Sequence, residues 1–250
     1  MKRIILFMLF VLFAFDHSVY ADKVIRDRTY YEKKGDVVWD IPTKEKLVAI
    51  TFDDGPDATF TNQILEILKG YNAKATFFVV GDRVKKNPDI LKRMASEGYE
   101  IANHTFSHPN LQRISEKDFV EELTQTEEAI LAITGKKPTL FRPPLGYYDD
   151  DIVNKAKEFN YLVVMWSWHQ DTYDWRNPGV HNIVNKVLTN IRNGDIILFH
   201  DYGGNRSQTV QAVKIIMPEL VKRGYHFVTV SELLQLDEKF RIPLQLPTEN

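Results

Sequence analysis

Short apolar runs rich in valine, isoleucine and phenylalanine recur along the chain, and amphipathic stretches separate them. Several of these runs lack the polar alternation of a half-exposed strand, which is typical of parallel strands buried on both faces. They predict strands at 47–52, 75–79, 100–103, 139–141, 161–166, 195–199 and 226–229.

Helical spacing appears between these strands. Apolar residues recur three or four positions apart on one stripe in 61–68, 116–133 and 210–223. The alternation of strands and helices predicts an α/β fold, in the form of a parallel barrel or a near-barrel. Because reacting groups in such barrels lie at the carboxyl ends of the strands, polar residues that follow the strands are candidates for a site.

The N-terminus has the pattern of a secretory signal peptide at residues 1–21. Lys2 and Arg3 precede an unbroken apolar run, and the small residues Val19 and Ala21 occupy the positions that signal peptidase reads. The run is shorter than the roughly 20 residues of a spanning helix, although an uncleaved anchor is the alternative. Residues 22–45 are interpreted as an N-terminal linker or a segment packed on the domain, residues 46–236 as one domain, and residues 237–250 as a C-terminal tail.

Composition narrows the possible chemistry. The formal net charge of −2 gives no basic footprint for nucleic acid. The chain contains no cysteine, which excludes cysteine nucleophiles and cysteine metal ligands. Any metal must therefore be bound by histidine, aspartate or glutamate.

Acidic residues and histidines follow two of the predicted strands. Asp53 and Asp54 come directly after strand 47–52, and His104 and His108 follow strand 100–103. Asp54 and the two histidines would form a metal site that leaves positions open for water and substrate. Asp53 would then be a spare carboxylate for proton transfer. The alternatives are a solvated turn and two loop histidines with unrelated roles.

Two further groups follow later strands. Arg142 precedes two prolines, so it is a fixed cation that could pair with Asp53 and keep it ionised. His200 closes strand 195–199 and could act as a general acid, with Asp174 keeping it protonated. The alternatives are an ordinary surface ion pair for the arginine and a structural role for the histidine.

Read in order, the segments TFDDG, HTFSH, RPPLG, DTYDW and LFH resemble the five motifs of the polysaccharide deacetylase family, the NodB-homology domain or carbohydrate esterase family 4. The resemblance covers residues 46–236 and implies that they form a catalytic domain. It implies a deformed (β/α) barrel of about seven parallel strands with helices outside. It also implies a divalent metal at the barrel mouth, usually Zn²⁺, although Co²⁺ or Ni²⁺ would suit the same ligands.

The resemblance also implies a role for each matching residue. Asp53 is the expected general base, Arg142 orients it, His200 is the general acid, and Asp174 is the partner of that histidine. The expected metal ligands are Asp54, His104 and His108. The expected substrate contacts are Leu145, Trp175 and Leu198. Independently of the resemblance, Tyr147 is a further candidate contact, because its ring could stack on a sugar. Leu145 stands where the family often has an aromatic residue, which bears on substrate preference more than on activity.

The function implied by the resemblance is metal-dependent removal of N-acetyl groups from an amino-sugar polymer. Peptidoglycan N-acetylglucosamine is the first choice of substrate, chitin oligomers are the second, and N-acetylmuramic acid is the third. An O-acetyl esterase of the xylan type is one alternative, and a non-catalytic glycan-binding module is another. We expect a monomeric, secreted protein at the cell envelope, with no nucleic-acid partner and no stable membrane insertion after signal cleavage.

Overall fold

A sheet of parallel strands forms the centre of the molecule. The computed structural model describes residues 23–240, so the predicted signal peptide and residues 241–250 lie outside the described part. The strands are β1 (Val37–Val38), β2 (Leu47–Asp53), β3 (Thr76–Val79), β4 (Glu100–Asn103), β5 (Leu140–Phe141), β6 (Leu162–Val164), β7 (Ile196–His200) and β8 (His226–Val228). Their order is β1-β6-β5-β4-β3-β2-β7, with β8 paired to β2. Every strand pair is parallel, so the predicted deformed (β/α) barrel is confirmed.

Helices surround this sheet. They are α1 (Arg28–Lys34), α2 (Phe60–Gly70), α3 (Gly81–Lys86), α4 (Pro88–Ser96), α5 (Glu116–Thr134), α6 (Asp150–Glu158), α7 (Val180–Asn190), α8 (Ser207–Lys222) and α9 (Val230–Leu234). The three predicted helices correspond to α2, α5 and α8. Within residues 23–240, no helix combines the length and the apolar character needed to cross a bilayer.

Alternate residues of each strand belong to different layers of the core. Val48, Ile50 and Phe52 pack outward with residues of the surrounding helices, whereas Ala49 belongs to the cluster that fills the barrel interior. Because strand side chains alternate between faces, Asp53 shares the inward face of Ala49. The same spacing directs inward three residues that follow interior positions of their strands: His104 after Ala102, Arg142 after Leu140, and His200 after Ile196.

The N-terminal segment is part of the barrel wall. Strand β1 pairs with β6 through Val37–Val163 and Val38–Val164, and Ile41 N–H donates to the Gly194 carbonyl at 3.0 Å. The described residues of this segment, 23–45, therefore pack on the barrel. A two-residue strand is too short to give a periodic signal, so the sequence alone left the choice open.

Irregular chain closes the wall between β6 and β7. Ser167 N–H donates to the Ile196 carbonyl at 3.0 Å, and Ile196 N–H donates to Ser167 Oγ at 3.1 Å. Further along, Asp171 forms a parallel bridge with Leu198. The residues after β6 thus take the place of a regular strand and bring Asp171 to the carboxyl end of β7.

Trp39 tests whether the N-terminal segment stabilises the fold. Trp39→Ala should lower the free energy of unfolding by about 3–5 kcal/mol, because its side chain is fully buried. Trp168→Ala is the matched control, since Arg28 lies over both indole rings but Trp168 is 61% exposed. The control should change stability by less than about 0.5 kcal/mol in urea unfolding. Equal losses in the two variants would contradict a structural role for this segment.

Candidate active site

The polar residues predicted from the strand ends converge on one cavity at the barrel mouth. The cavity has a volume of about 440 Å³ and is lined by Asp53, Asp54, His104, His108, Pro143, Leu145, Gly146, Trp166, Asp171, Trp175, Leu198 and His200. Arg142 and Asp174 are buried directly behind it, at 0% and 1% exposure. Ten of the eleven predicted site residues therefore lie in or behind this cavity.

Asp54, His104 and His108 form a compact cluster of metal-ligand atoms. Their ligand atoms all lie within 4.8 Å of one another. Asp54 Oδ1 is 3.5 Å from His104 Nε2 and 3.2 Å from His108 Nε2. Nδ1 of His104 lies 2.6 Å from the Arg142 carbonyl oxygen, which can only accept, so Nδ1 donates and Nε2 is free to bind a cation.

The donor set fits a divalent cation. Asp54 Oδ1 is a buried oxygen that receives no hydrogen bond in the described structure, and such an atom is unfavourable without a partner. Burial raises the pKa of Asp54, but interaction with the two histidines outweighs it and holds the pKa well below its ordinary value. The carboxylate is therefore ionised, as a ligand must be.

Left-handed backbone places two of the ligands. Asp54 has a φ of 79° and His108 a φ of 61°, a region that non-glycine residues seldom adopt. Arg83 Nη1 donates to the Asp54 carbonyl at 2.5 Å. Glu122 accepts hydrogen bonds from two backbone N–H groups of the histidine loop, those of Phe106 and Ser107, at 2.7 Å each. Arg83 and Glu122 were not predicted, because each is remote in sequence from the turn that it supports.

Asp53 is held by a completely buried guanidinium. Arg142 Nη1 donates to Asp53 Oδ1 at 2.7 Å and to Thr51 Oγ1 at 2.8 Å. Nε of Arg142 donates to the Val164 carbonyl at 3.0 Å, and Nη2 donates to the Met165 carbonyl at 2.7 Å. The predicted ion pair is therefore present. This ion pair fixes Oδ1 of Asp53. The other oxygen, Oδ2, faces the cluster of candidate ligands and lies 3.9 Å from His104 Nε2.

His200 lies beside Asp53 in the sheet and is paired with Asp174. His200 Nδ1 donates to Asp174 Oδ1 at 2.7 Å, and the backbone N–H of His200 donates to Oδ2 at 2.9 Å. Thr209 donates to the same Oδ2 at 2.8 Å, a contact that gives no signal in the sequence. Burial lowers the pKa of His200, but the charge and hydrogen bond of Asp174 outweigh it and raise the pKa to about 9. The imidazole is therefore protonated at neutral pH.

Apolar side chains complete the cavity. Leu198 is 3% exposed and lies deep in the cavity, whereas Leu145 and Trp175 are 72% and 46% exposed at its rim. Leu145 has a φ of 59°, in a turn that packs closely on the Trp166 ring. Tyr147 is the one predicted substrate contact that does not line this cavity. Its hydroxyl donates to Asp149 at 2.9 Å, so its contact with substrate stays a prediction.

Taken together, the fold and the site define a (β/α) barrel with a candidate metal triad, a fixed carboxylate and a protonated histidine around one cavity. A family model described as polysaccharide deacetylase matches residues 40–164. The chain belongs to this family, and the resemblance drawn from its five motifs is confirmed.

Individual proteins that are similar to this chain are also named as polysaccharide deacetylases. A peptidoglycan-N-acetylglucosamine deacetylase of Bacillus cereus is 50% identical over 208 residues, which are 83% of this chain and 97% of the relative. A chitooligosaccharide deacetylase of Sinorhizobium fredii is 35% identical over 189 residues, with 71% of this chain and 87% of the relative covered. A crystal structure of a peptidoglycan N-acetylglucosamine deacetylase matches with a TM-score of 0.78 and 39% identity, over 83% of this chain and 96% of its own.

Asp174 should control the pH range in which His200 can donate a proton. The charge of Asp174 raises the pKa of His200, so Asp174→Asn should lower that pKa. A general acid is active below its pKa, and the alkaline limb of kcat should therefore move to lower pH, by about one unit or more. Thr209→Val is the control, because it removes a hydrogen bond to Asp174 but keeps its charge. An unchanged alkaline limb in Asp174→Asn would exclude this pairing as the source.

Proposed function

We propose that this chain is a metal-dependent hydrolase that removes the N-acetyl group from N-acetylglucosamine of peptidoglycan. The observation that carries the proposal is the position of two proton-transfer groups around one metal-ligand cluster. Asp53 and His200 both line the cavity that contains the cluster. The peptidoglycan substrate is supported by two of the relatives described above, whose names state that they are peptidoglycan N-acetylglucosamine deacetylases.

The ligand cluster would hold the metal ion at the mouth of the barrel. Asp54, His104 and His108 supply one carboxylate and two imidazoles, a set that suits Zn²⁺ and would also accept Co²⁺ or Ni²⁺. When bound, such an ion supplies a Lewis acid that polarises the acetyl carbonyl and acidifies water.

The residues of the chain perform the proton transfers. Asp53 accepts a proton from the attacking water, and Arg142 keeps its carboxylate ionised and oriented through the 2.7 Å ion pair. Water adds to the acetyl carbonyl carbon, and the backbone N–H of Leu145 is the proposed donor to the oxygen that becomes negative. His200 then donates a proton to the departing amine as the carbon–nitrogen bond breaks. The products are acetate and a free amino sugar.

The apolar walls account for selection of a small acyl group. Leu198 and Trp175 line the cavity beside His200, and we assign the acetyl methyl to the space between them. A non-catalytic glycan-binding module would be expected to lack a ligand, the base or the acid. All of these side chains are present in one cavity, which favours turnover over binding alone. Export to the cell envelope, where peptidoglycan lies, is part of the proposal.

Substitution of Asp53 should separate proton transfer from metal binding. Asp53→Asn keeps the shape of the side chain but removes its basicity, so kcat should fall at least about 100-fold while metal content persists. His104→Ala removes a ligand and should lose both metal and activity. Acetate release and elemental analysis of the purified proteins are the two measurements. Full activity in Asp53→Asn would disprove its role as the base.

Removal of the metal should abolish deacetylation reversibly. We expect acetate release from purified peptidoglycan and from N-acetylglucosamine oligomers to stop with a chelator and to return with Zn²⁺. Acetylated xylan is the comparison substrate, because the same site could hydrolyse an O-acetyl ester. Preferential release from xylan would replace the N-deacetylase proposal by the esterase. Release that is insensitive to the chelator would exclude a role for the triad.

A further inference from the structure

The turn at residues 173–177 presents different side chains to the inside and to the outside of the cavity. Tyr173 and Asn177 flank a short helical turn, and both have a left-handed φ of 52°. Asp174 points inward, is 1% exposed and is bound to His200, whereas Trp175 is 46% exposed at the rim. Because Asp174 anchors the turn, the outward side chains have a fixed position beside the cavity.

Two cations stack on the aromatic rings of this turn. The guanidinium carbon of Arg176 lies 4.4 Å from the ring centre of Trp175 and 5.2 Å from that of Tyr173. On α7, Lys186 Nζ lies 5.5 Å from the Tyr173 ring centre. These distances are in the range of cation–π interactions, which orient a cation without neutralising its charge. Arg176, Trp175, Tyr173 and Lys186 are termed the basic rim below.

The positive charge of the basic rim is not neutralised by ion pairs. Across residues 23–240, neither cation of the rim forms an ion pair with an acidic side chain, whereas the surface arginines Arg93 and Arg223 each do. The carboxylate of Asp171 interacts electrostatically with Lys186 without forming an ion pair with it, and it accepts a hydrogen bond from the Tyr173 N–H at 3.0 Å. An oriented, unpaired guanidinium next to a catalytic cavity is suited to bind a carboxylate.

The basic rim lies where the sugar next to the reacting sugar would be bound. Trp175 belongs both to the cavity wall and to the rim, so a polymer that places an acetyl group in the cavity can extend across Arg176. In peptidoglycan, every N-acetylglucosamine is bonded to N-acetylmuramic acid. That neighbouring sugar carries a lactyl group, which is a free carboxylate or is joined to a peptide that itself contains carboxylates. Chitin oligomers carry no such group.

We propose that the basic rim is an anion-binding subsite, in which Arg176, backed by Lys186, binds a carboxylate on the sugar adjoining the reacting N-acetylglucosamine. The inference rests on the proposed function, because it assumes a glycan with its acetyl group in the cavity. It assigns to these residues a preference for acidic over neutral glycans. The subsite acts on binding and takes no part in proton transfer.

Arg176→Gln tests the subsite through the ratio of kcat/KM for acidic and neutral substrates. The acidic substrates are soluble peptidoglycan fragments with their peptides attached, and glycan strands with the peptides removed. The neutral substrates are N-acetylglucosamine oligomers and the same fragments with their carboxylates converted to methylamides. The acidic-to-neutral ratio should fall about fivefold, mainly through KM, as expected for loss of one partly exposed charge pair. A fall with stripped strands identifies the lactyl carboxylate, and a fall only with peptide-bearing fragments identifies the peptide.

Two further variants and one binding measurement keep the test decisive. Lys214→Gln removes an exposed positive charge from α8 and should leave the ratio unchanged, whereas Arg176→Lys should keep most of it. Equal losses on acidic and neutral substrates would overturn the proposal, because Arg176 would then act only by packing on Trp175. An unchanged ratio would also overturn it.

If the wild-type chain releases no acetate from any substrate, the proposed function fails. Calorimetric binding of the acidic fragments to wild type and Arg176→Gln then decides the subsite alone.

Discussion

The buried guanidinium of Arg142 is the interaction on which both the barrel interior and the site depend. A charged side chain that is buried away from water is tolerated only where it is paired and fully hydrogen-bonded. Arg142 meets this condition through Asp53, Thr51 and two carbonyls, one at the end of β6 and one directly after it. Its guanidinium carbon also lies 3.9 Å from the Phe78 ring centre. One side chain therefore connects β2, β3 and β6 across the interior of the barrel.

This connection couples the register of the sheet to the chemistry of the site. The carbonyl of Arg142 accepts from His104, so the residue that holds the proposed general base also orients a candidate metal ligand. A shift of one residue in β2 would turn Asp53 from the interior to the helix layer and leave the guanidinium without its anion. The sheet pairing and the ion pair thus favour the same arrangement. Such agreement between local and global preferences gives a single native state.

The residues whose position at the cavity follows from the sequence are those placed by strand periodicity. Asp53, His104 and His200 lie at strand ends, and a repeat of two residues is enough to direct them inward. Contacts that helices make with the site were not predictable in this way. Thr209 reaches Asp174 from α8, 35 residues along the chain. Strand β1 was missed for a different reason, since two residues carry no period, although Val37 and Val38 are fully buried.

Charge balance around Asp54 supports the proposed binding of a cation by this cluster. The carboxylate of Asp53 is compensated by Arg142 at 2.7 Å, and that of Asp174 by His200 at 2.7 Å. The nearest guanidinium to Asp54 Oδ1 is that of Arg83, at 3.8 Å, and it is already hydrogen-bonded to the Asp54 carbonyl. The charges of Asp53 and Asp174 are therefore balanced by the protein itself. In the proposed metal-bound state, Asp54 would supply the negative charge and the two imidazoles would supply lone pairs without charge, a set that suits a divalent ion.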